Sequence, residues 1–209
     1  MALGTTLTRR DVWQIRRTWG DLTVVAATVA TGALATLCGC GGSYEVIKFE
    51  PAQAAEVALQ TYDKNGDGKL DSKEVVESPA LQSSLAKLDT NRDKAIDAGE
   101  IQARFEAYKS QSELVGSTVT VTQKRQPLMA ATVKIESEPF MGTDLPVQEG
   151  TSASDGSVSL SSSSEKMSGL FAPGFYRITI SSTGAADFVT GVEIADDLPT
   201  AQRIVVDVK

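Results

Sequence analysis

The chain has no histidine, which removes imidazole as general base, proton shuttle or metal ligand. It has only two cysteines, Cys38 and Cys40, with one residue between them. A framework of internal disulfides is therefore not the natural reading. Aromatic residues are sparse: six Phe, four Tyr and two Trp among 209 residues, with both Trp in the first 19. There is no basic stripe with interleaved aromatics. The 20 Lys and Arg against 27 Asp and Glu give a net charge of −7, so no nucleic-acid partner is expected. What remains is a globular composition, 41% hydrophobic and 22% charged. The length suits one ordinary domain, or two small ones once any targeting segment is set aside.

Residues 1–21 carry Arg9, Arg10, Arg16 and Arg17 against Asp11 and Asp21, and residues 22–37 form an uncharged apolar and small-residue stretch of 16. A membrane-spanning helix needs about 20 apolar residues, so this stretch suits the core of a signal peptide better. It ends in Leu37-Cys38-Gly39-Cys40, followed by Gly41-Gly42-Ser43. This resembles the lipobox of bacterial lipoproteins, with Leu at −3, Gly at −1 and the lipid-carrying cysteine at +1. The resemblance implies cleavage before Cys40, acylation of Cys40, and a protein tethered to a membrane in the bacterial cell envelope. Gly41 lacks the acidic retention signal, which implies the outer membrane where the source has one. The alternative is an uncleaved anchor helix. Without residues 1–39 the chain keeps 16 basic and 25 acidic residues, a net of −9.

Two segments carry the metal chemistry. In residues 63–74, oxygen side chains fall at positions 1, 3, 5, 9 and 12 of a twelve-residue loop: Asp63, Asn65, Asp67, Asp71 and Glu74. Lys69 at position 7 contributes its backbone carbonyl, which leaves its charge free to point away. Calcium takes six to eight oxygen ligands, and this spacing folds them around one point. Gly68 at position 6 supplies the sharp turn. Residues 89–100 repeat the pattern with Asp89, Asn91, Asp93, the carbonyl of Ala95, Asp97 and Glu100. The apolar residues at position 8, Leu70 and Ile96, mark the point where paired loops meet. These are EF-hand loops by motif, and Ca2+ is the expected cofactor. Lys94 stands where the second loop should have glycine, at a cost of about 1 kcal/mol, so the second loop is expected to bind more weakly.

The flanks read as helices. Pro51 opens one that runs to Tyr62; Leu81, Leu85 and Leu88 recur before the second loop, and Ile101, Phe105 and Tyr108 follow it. The loops start only 26 residues apart and Pro79 splits the connector. Little room is left for the wide opening that sensors use, and residues 51–114 contain no methionine to build an adaptable groove. A structural or buffering calcium module is expected rather than a switch.

From Gly116 the pattern changes to alternating β-branched residues, as in Thr118-Val119-Thr120-Val121-Thr122 and Ala131-Thr132-Val133-Lys134-Ile135. Asp155-Gly156 is a hairpin signal, and further strands are predicted at 175–181, 188–194 and 203–208. About seven short strands argue for a small antiparallel β-sandwich. The stretches 126–133, 151–156 and 169–178 resemble the carboxypeptidase regulatory-like, or transthyretin-like, domain, from which residues 136–149 depart by a longer, proline-bearing loop. Such domains are usually noncatalytic modules of exported proteins. The ureide hydrolases of that fold need histidines that this chain lacks. Ser163-Ser164-Glu165-Lys166 matches Ser-x-x-Lys but lies in a serine-rich loop without partner motifs, so no enzymatic activity is expected.

The resulting expectation is a multidomain α plus all-β chain, a short EF-hand pair followed by a small antiparallel β-sandwich. Its parts are a lipoprotein signal peptide at 1–39, a lipidated tether at 40–50, the EF-hand pair at 51–114 and the sandwich at 115–209. Calcium stabilises the membrane-proximal pair, and the whole has a structural or adhesive role. The alternative is a ligand-binding module in which the sandwich captures a glycan or protein partner.

Overall fold

The structure, a computed structural model, describes residues 50–111, 114–142 and 145–209. The segments read as leader and tether, up to residue 49, and Cys40, the expected lipidation residue, lie outside the described residues. Among the described residues no helix is long and apolar enough to cross a membrane.

Among the described residues the fold is mixed α plus β, with three helices and many short, mostly antiparallel strands, most of them after the last helix. Helix α1 (Pro51–Tyr62) begins on a proline, whose missing N–H costs nothing in the first turn, and buries Ala54, Ala55, Ala58 and Tyr62. A loop containing strand β1 (Lys69–Leu70) follows, then a single 3-10 turn at Val75–Glu77. Helix α2 (Pro79–Leu88) starts on a second proline behind a serine cap, Ser78. A second loop contains β2 (Ile96–Asp97) and leads into α3 (Ala98–Tyr108). A capping box opens α3: Asp97 accepts from the N–H of Glu100, and the Glu100 side chain accepts from the N–H of Asp97.

The rest is built from β3 (Val115–Gly116), β4 (Thr118–Gln123), β5 (Gln126–Pro127), β6 (Thr132–Ser137), β7 (Gln148–Thr151), β8 (Ser157–Val158), β9 (Ser161–Ser162), β10 (Leu170–Phe171), β11 (Gly174–Ser181), β12 (Phe188–Ile194) and β13 (Arg203–Val208). One sheet runs β12-β11-β6-β7-β9; another runs β13-β4-β5, with β8 also on β4. Their inward side chains, Val119, Val121, Ile204 and Val206 from one and Val133, Ile135, Ile178, Ile180 and Ile194 from the other, form one apolar cluster.

Two details differ from an all-antiparallel reading. First, β13 pairs with β4 in parallel, Arg203 opposite Thr118 through Val208 opposite Gln123. It arrives from the other sheet, so no hairpin forces it to run antiparallel. Second, Asp155-Gly156 does make its turn, with Gly156 at φ +78° and Ser157 N–H bonded to Asp155 Oδ1 at 2.9 Å. Its two arms then part after one bridge, Ser152 to Val158. The first arm stays with β6 and the second crosses to β4.

The helices and the sheets are not packed as separate bodies. The described residues from Glu50 onward belong to one compact unit, and the helical core (Ala58, Tyr62, Leu70, Leu81, Ile96, Ile101, Phe105) includes Phe140, Met141, Phe175 and Ala195 from the β part. Phe140 and Met141 come from the proline-bearing insertion after β6, where Pro139–Met141 forms a 3-10 turn. The ring of Phe140 meets Tyr62, Phe105 and Phe175 at centroid distances of 6.2, 6.3 and 5.6 Å. On the other side α2 lies against β12 so closely that a Cβ on Gly191 would sit 2.0 Å from Ala80 N and 2.1 Å from Pro79 C.

Candidate metal centre

The two twelve-residue loops are organised by closely similar hydrogen bonds, which match at positions 3, 5 and 12 and differ in part at positions 1 and 9. In the first, Asp63 accepts from the N–H groups of Gly66 (2.7 Å) and Gly68 (2.9 Å). Asn65 accepts from Asp67 N at 2.8 Å, and Asp67 from Lys69 N at 2.9 Å. Asp71 accepts from Lys73 N and Glu74 N. Glu74 closes the loop, accepting from Lys64 N (2.9 Å), Asn65 N (3.2 Å) and Asp71 N (3.0 Å). In the second, Asp89 accepts from Asp93 N and Lys94 N. Asn91 accepts from Asp93 N, and Asp93 from Ala95 N. Asp97 accepts from Glu100 N. Glu100 closes on Thr90 N (2.7 Å), Asn91 N (3.2 Å) and Asp97 N (3.1 Å), and also takes the Thr90 hydroxyl.

Such wrapping needs a left-handed backbone at two points per loop. Gly66 and Gly68 provide it at φ +74° and +80°, while Arg92 and Lys94 are forced to +63° and +72°. The second loop thus holds two side-chain-bearing residues in a conformation that favours glycine. The loops are joined back to back by the ladder of β1 and β2, Lys69 opposite Asp97 and Leu70 opposite Ile96, with Leu70 and Ile96 fully buried beneath it.

The donors named from the sequence, Asp63, Asn65, Asp67, Asp71, Glu74, Asp89, Asn91, Asp93, Asp97 and Glu100 with the carbonyls of Lys69 and Ala95, are therefore brought into two adjacent loops. Each Asp, Asn and Glu side chain among them accepts from at least one loop amide, and among the described residues no three acidic side chains gather as a ready metal-holding group. The donor set is nevertheless all oxygen, the type a hard divalent cation takes. Glu74 and Glu100 are buried despite their charge. Burial pushes the Glu100 carboxyl up, but the N–H groups of Asp97, Asn91 and Thr90 and the Thr90 hydroxyl outweigh it, so it ends below its usual value.

Two features escaped the sequence. The ammonium of Lys69 does not stand free: it forms an ion pair with Asp93 of the other loop. That contact raises the Lys69 pKa and lowers that of Asp93. The cross-loop register, position 7 beside position 9, is the signal that could have found it. The second is an ionic cluster between α3 and β12. Glu193, 3% exposed at its side chain, takes Arg104 Nε, Tyr108 Oη at 2.8 Å and Lys87 Nζ at 3.1 Å. Arg104 also grips Asp197 with two bonds of 2.6 and 2.7 Å, which lowers the Asp197 pKa to about 2. Glu100, Arg104 and Tyr108 recur every fourth residue of α3, so the helix that closes the second loop is also the helix that grips the sheet.

In the β part, the cavity lined by Leu145, Gln148, Phe171 and Tyr176 amounts to about 10 Å3, room for about one water. Among the described residues the exposed large apolar ones are Val76, Met129, Val189 and Val205, all aliphatic. Compared with protein-family models and with curated proteins, the chain matches none.

Proposed function

We propose that the chain is a calcium-binding, lipid-anchored protein of the bacterial cell envelope, in which an EF-hand pair braces a small β-sandwich for a structural or adhesive role. The observation that carries the calcium reading is the closure of both loops by the same kind of bond, the position-12 glutamate accepting from the amides of positions 2, 3 and 9, with the two joined through Leu70 and Ile96. Asp63, Asn65, Asp67, Asp71 and Glu74, with the Lys69 carbonyl, would hold the ion in the first loop. Asp89, Asn91, Asp93, Asp97 and Glu100, with the Ala95 carbonyl, would hold it in the second. The ion supplies a charge that the loop oxygens surround, fixing the loop path; the chain's own residues pack the result against the sheets.

The bracing role is supported by the shared core, in which Phe105 and Tyr108 of α3 lie 5.9 and 6.1 Å from Phe175 of β11. Helices held this way have little freedom to swing open as sensors do. The all-aliphatic set of exposed apolar residues and the small cavity favour scaffolding over capture of a glycan or protein. The lipid anchor rests on the lipobox resemblance at Cys40.

Calorimetric titration with calcium tests the reading. Two unequal sites are expected, with Glu74→Gln abolishing the tighter one. Absence of heat and of bound calcium in the unsubstituted chain would refute it, whereas a second loop that binds as tightly as the first would overturn only the expected inequality of the sites.

A further inference from the structure

The ion pair between the loops runs in one direction only. Lys69 at position 7 of the first loop reaches Asp93 at position 5 of the second, whereas the second loop has Ala95 at its own position 7 and sends no cation back to Asp67. The ladder sets this up by placing Lys69 opposite Asp97, so the lysine stem starts beside the second loop's oxygens. Asp93 is then engaged at both oxygens, Oδ1 by Ala95 N at 3.0 Å and Oδ2 by the lysine ammonium. In the first loop the matching Asp67 accepts Lys69 N at 2.9 Å through Oδ1. The first loop's own charge has thus been placed on its neighbour.

We infer that Lys69 sets the affinity of the second loop: its ammonium acts as an internal counter-cation on Asp93 and must withdraw before a divalent cation takes that carboxylate. This inference rests on the calcium reading and deepens it. It gives the second loop a cause of weakness separate from the left-handed backbone at Arg92 and Lys94, because it can be removed without altering the path of that loop. It also makes the second site depend on a residue of the first, so the two loops cannot be treated as independent sites.

The test is calcium titration by calorimetry of the full chain carrying Glu74→Gln, which leaves the second loop as the only intact site, alone and with Lys69→Gln or Lys69→Arg. Lys69→Gln should tighten the remaining site about 1.4- to 5-fold, the range set by an exposed ion pair, and Lys69→Arg should leave it unchanged. The gap should narrow in high salt, which screens exposed charges. Equal constants in all three proteins, or weaker binding with Lys69→Gln, would overturn the inference. Should Glu74→Gln lose its helical circular dichroism, Lys69→Gln and Lys69→Arg are compared with Glu74 intact, and the weaker of the two constants is read against the same expectation. An unsubstituted chain that takes up no calcium defeats the calcium reading itself, and this inference with it.

Discussion

At the scale of single residues, Arg104 ties helix α3 to the strand beside it through several interactions at once. It pairs with the buried Glu193 and the half-exposed Asp197, and its guanidinium stacks 4.9 Å from the Tyr108 ring centre. Removing one partner of a buried ion pair leaves a charge without compensation, at a cost of 3–5 kcal/mol. Lys87 and Tyr108 still contact Glu193, so Arg104→Met should destabilise the fold by about 3 kcal/mol, the low end of that range, in urea unfolding. The acid limb should change as well. Because Arg104 holds the Asp197 pKa down at about 2, the stability from that contact is present above the ordinary carboxylate pKa and is lost as pH falls from about 4 toward 2. Unfolding of the Arg104→Met protein should lack that component of the acid loss. An unchanged midpoint at neutral pH would contradict the reading of this cluster. None of it was legible in the sequence, because the helix residues Lys87, Arg104 and Tyr108 lie 85 or more positions from the carboxylates they meet and nothing local marks Glu193 as buried.

At the scale of elements, local chemistry wrote much of the structure. The prolines at 51 and 79 start helices where their missing N–H costs nothing, and the β-branched alternation at 118–122 and 132–135 lies within strands. The partner of each strand was harder to read, since pairing depends on contacts far apart in the chain. The parallel match of β13 with β4 and the parting of the arms beyond Asp155-Gly156 are of that kind. Packing of α2 on β12 is another, and it turns on Gly191. This glycine has an ordinary φ, so its need is space and not backbone freedom: an added Cβ would collide with the backbone of Pro79 and Ala80. Gly191→Ala should therefore force helix and strand apart and cost about 3 kcal/mol, as overpacking at a rigid contact does. Gly142, with nothing within 4 Å of its would-be Cβ, is the control for mere loss of glycine; its left-handed φ of +63° limits the cost of Gly142→Ala to about 1 kcal/mol. Comparable losses at the two positions in thermal unfolding would contradict the close-contact argument.

At the scale of the whole molecule, the sequence suggested a helical part and a β part meeting near residue 114, and each proposed set of ligands could be named from the sequence because its positions sit within twelve residues. The core shared through Phe140, Met141, Phe175 and Ala195 was not legible. The insertion at 136–149 reads as a surface loop until Phe140 is seen to be fully buried. The consequence is that calcium bound in the loops should stabilise the β-sheets as well as the helices. An ion at a hundredfold excess over its Kd stabilises by about 2.7 kcal/mol, or some 5–10 °C in a chain of this size. The most direct test of the account is a thermal melt of the chain in excess calcium and in excess chelator, followed by helical and by β-sheet signals together. The account predicts one shared transition that moves up with calcium, with most of the gain lost in Glu74→Gln. Identical melting temperatures with calcium and with chelator would contradict it.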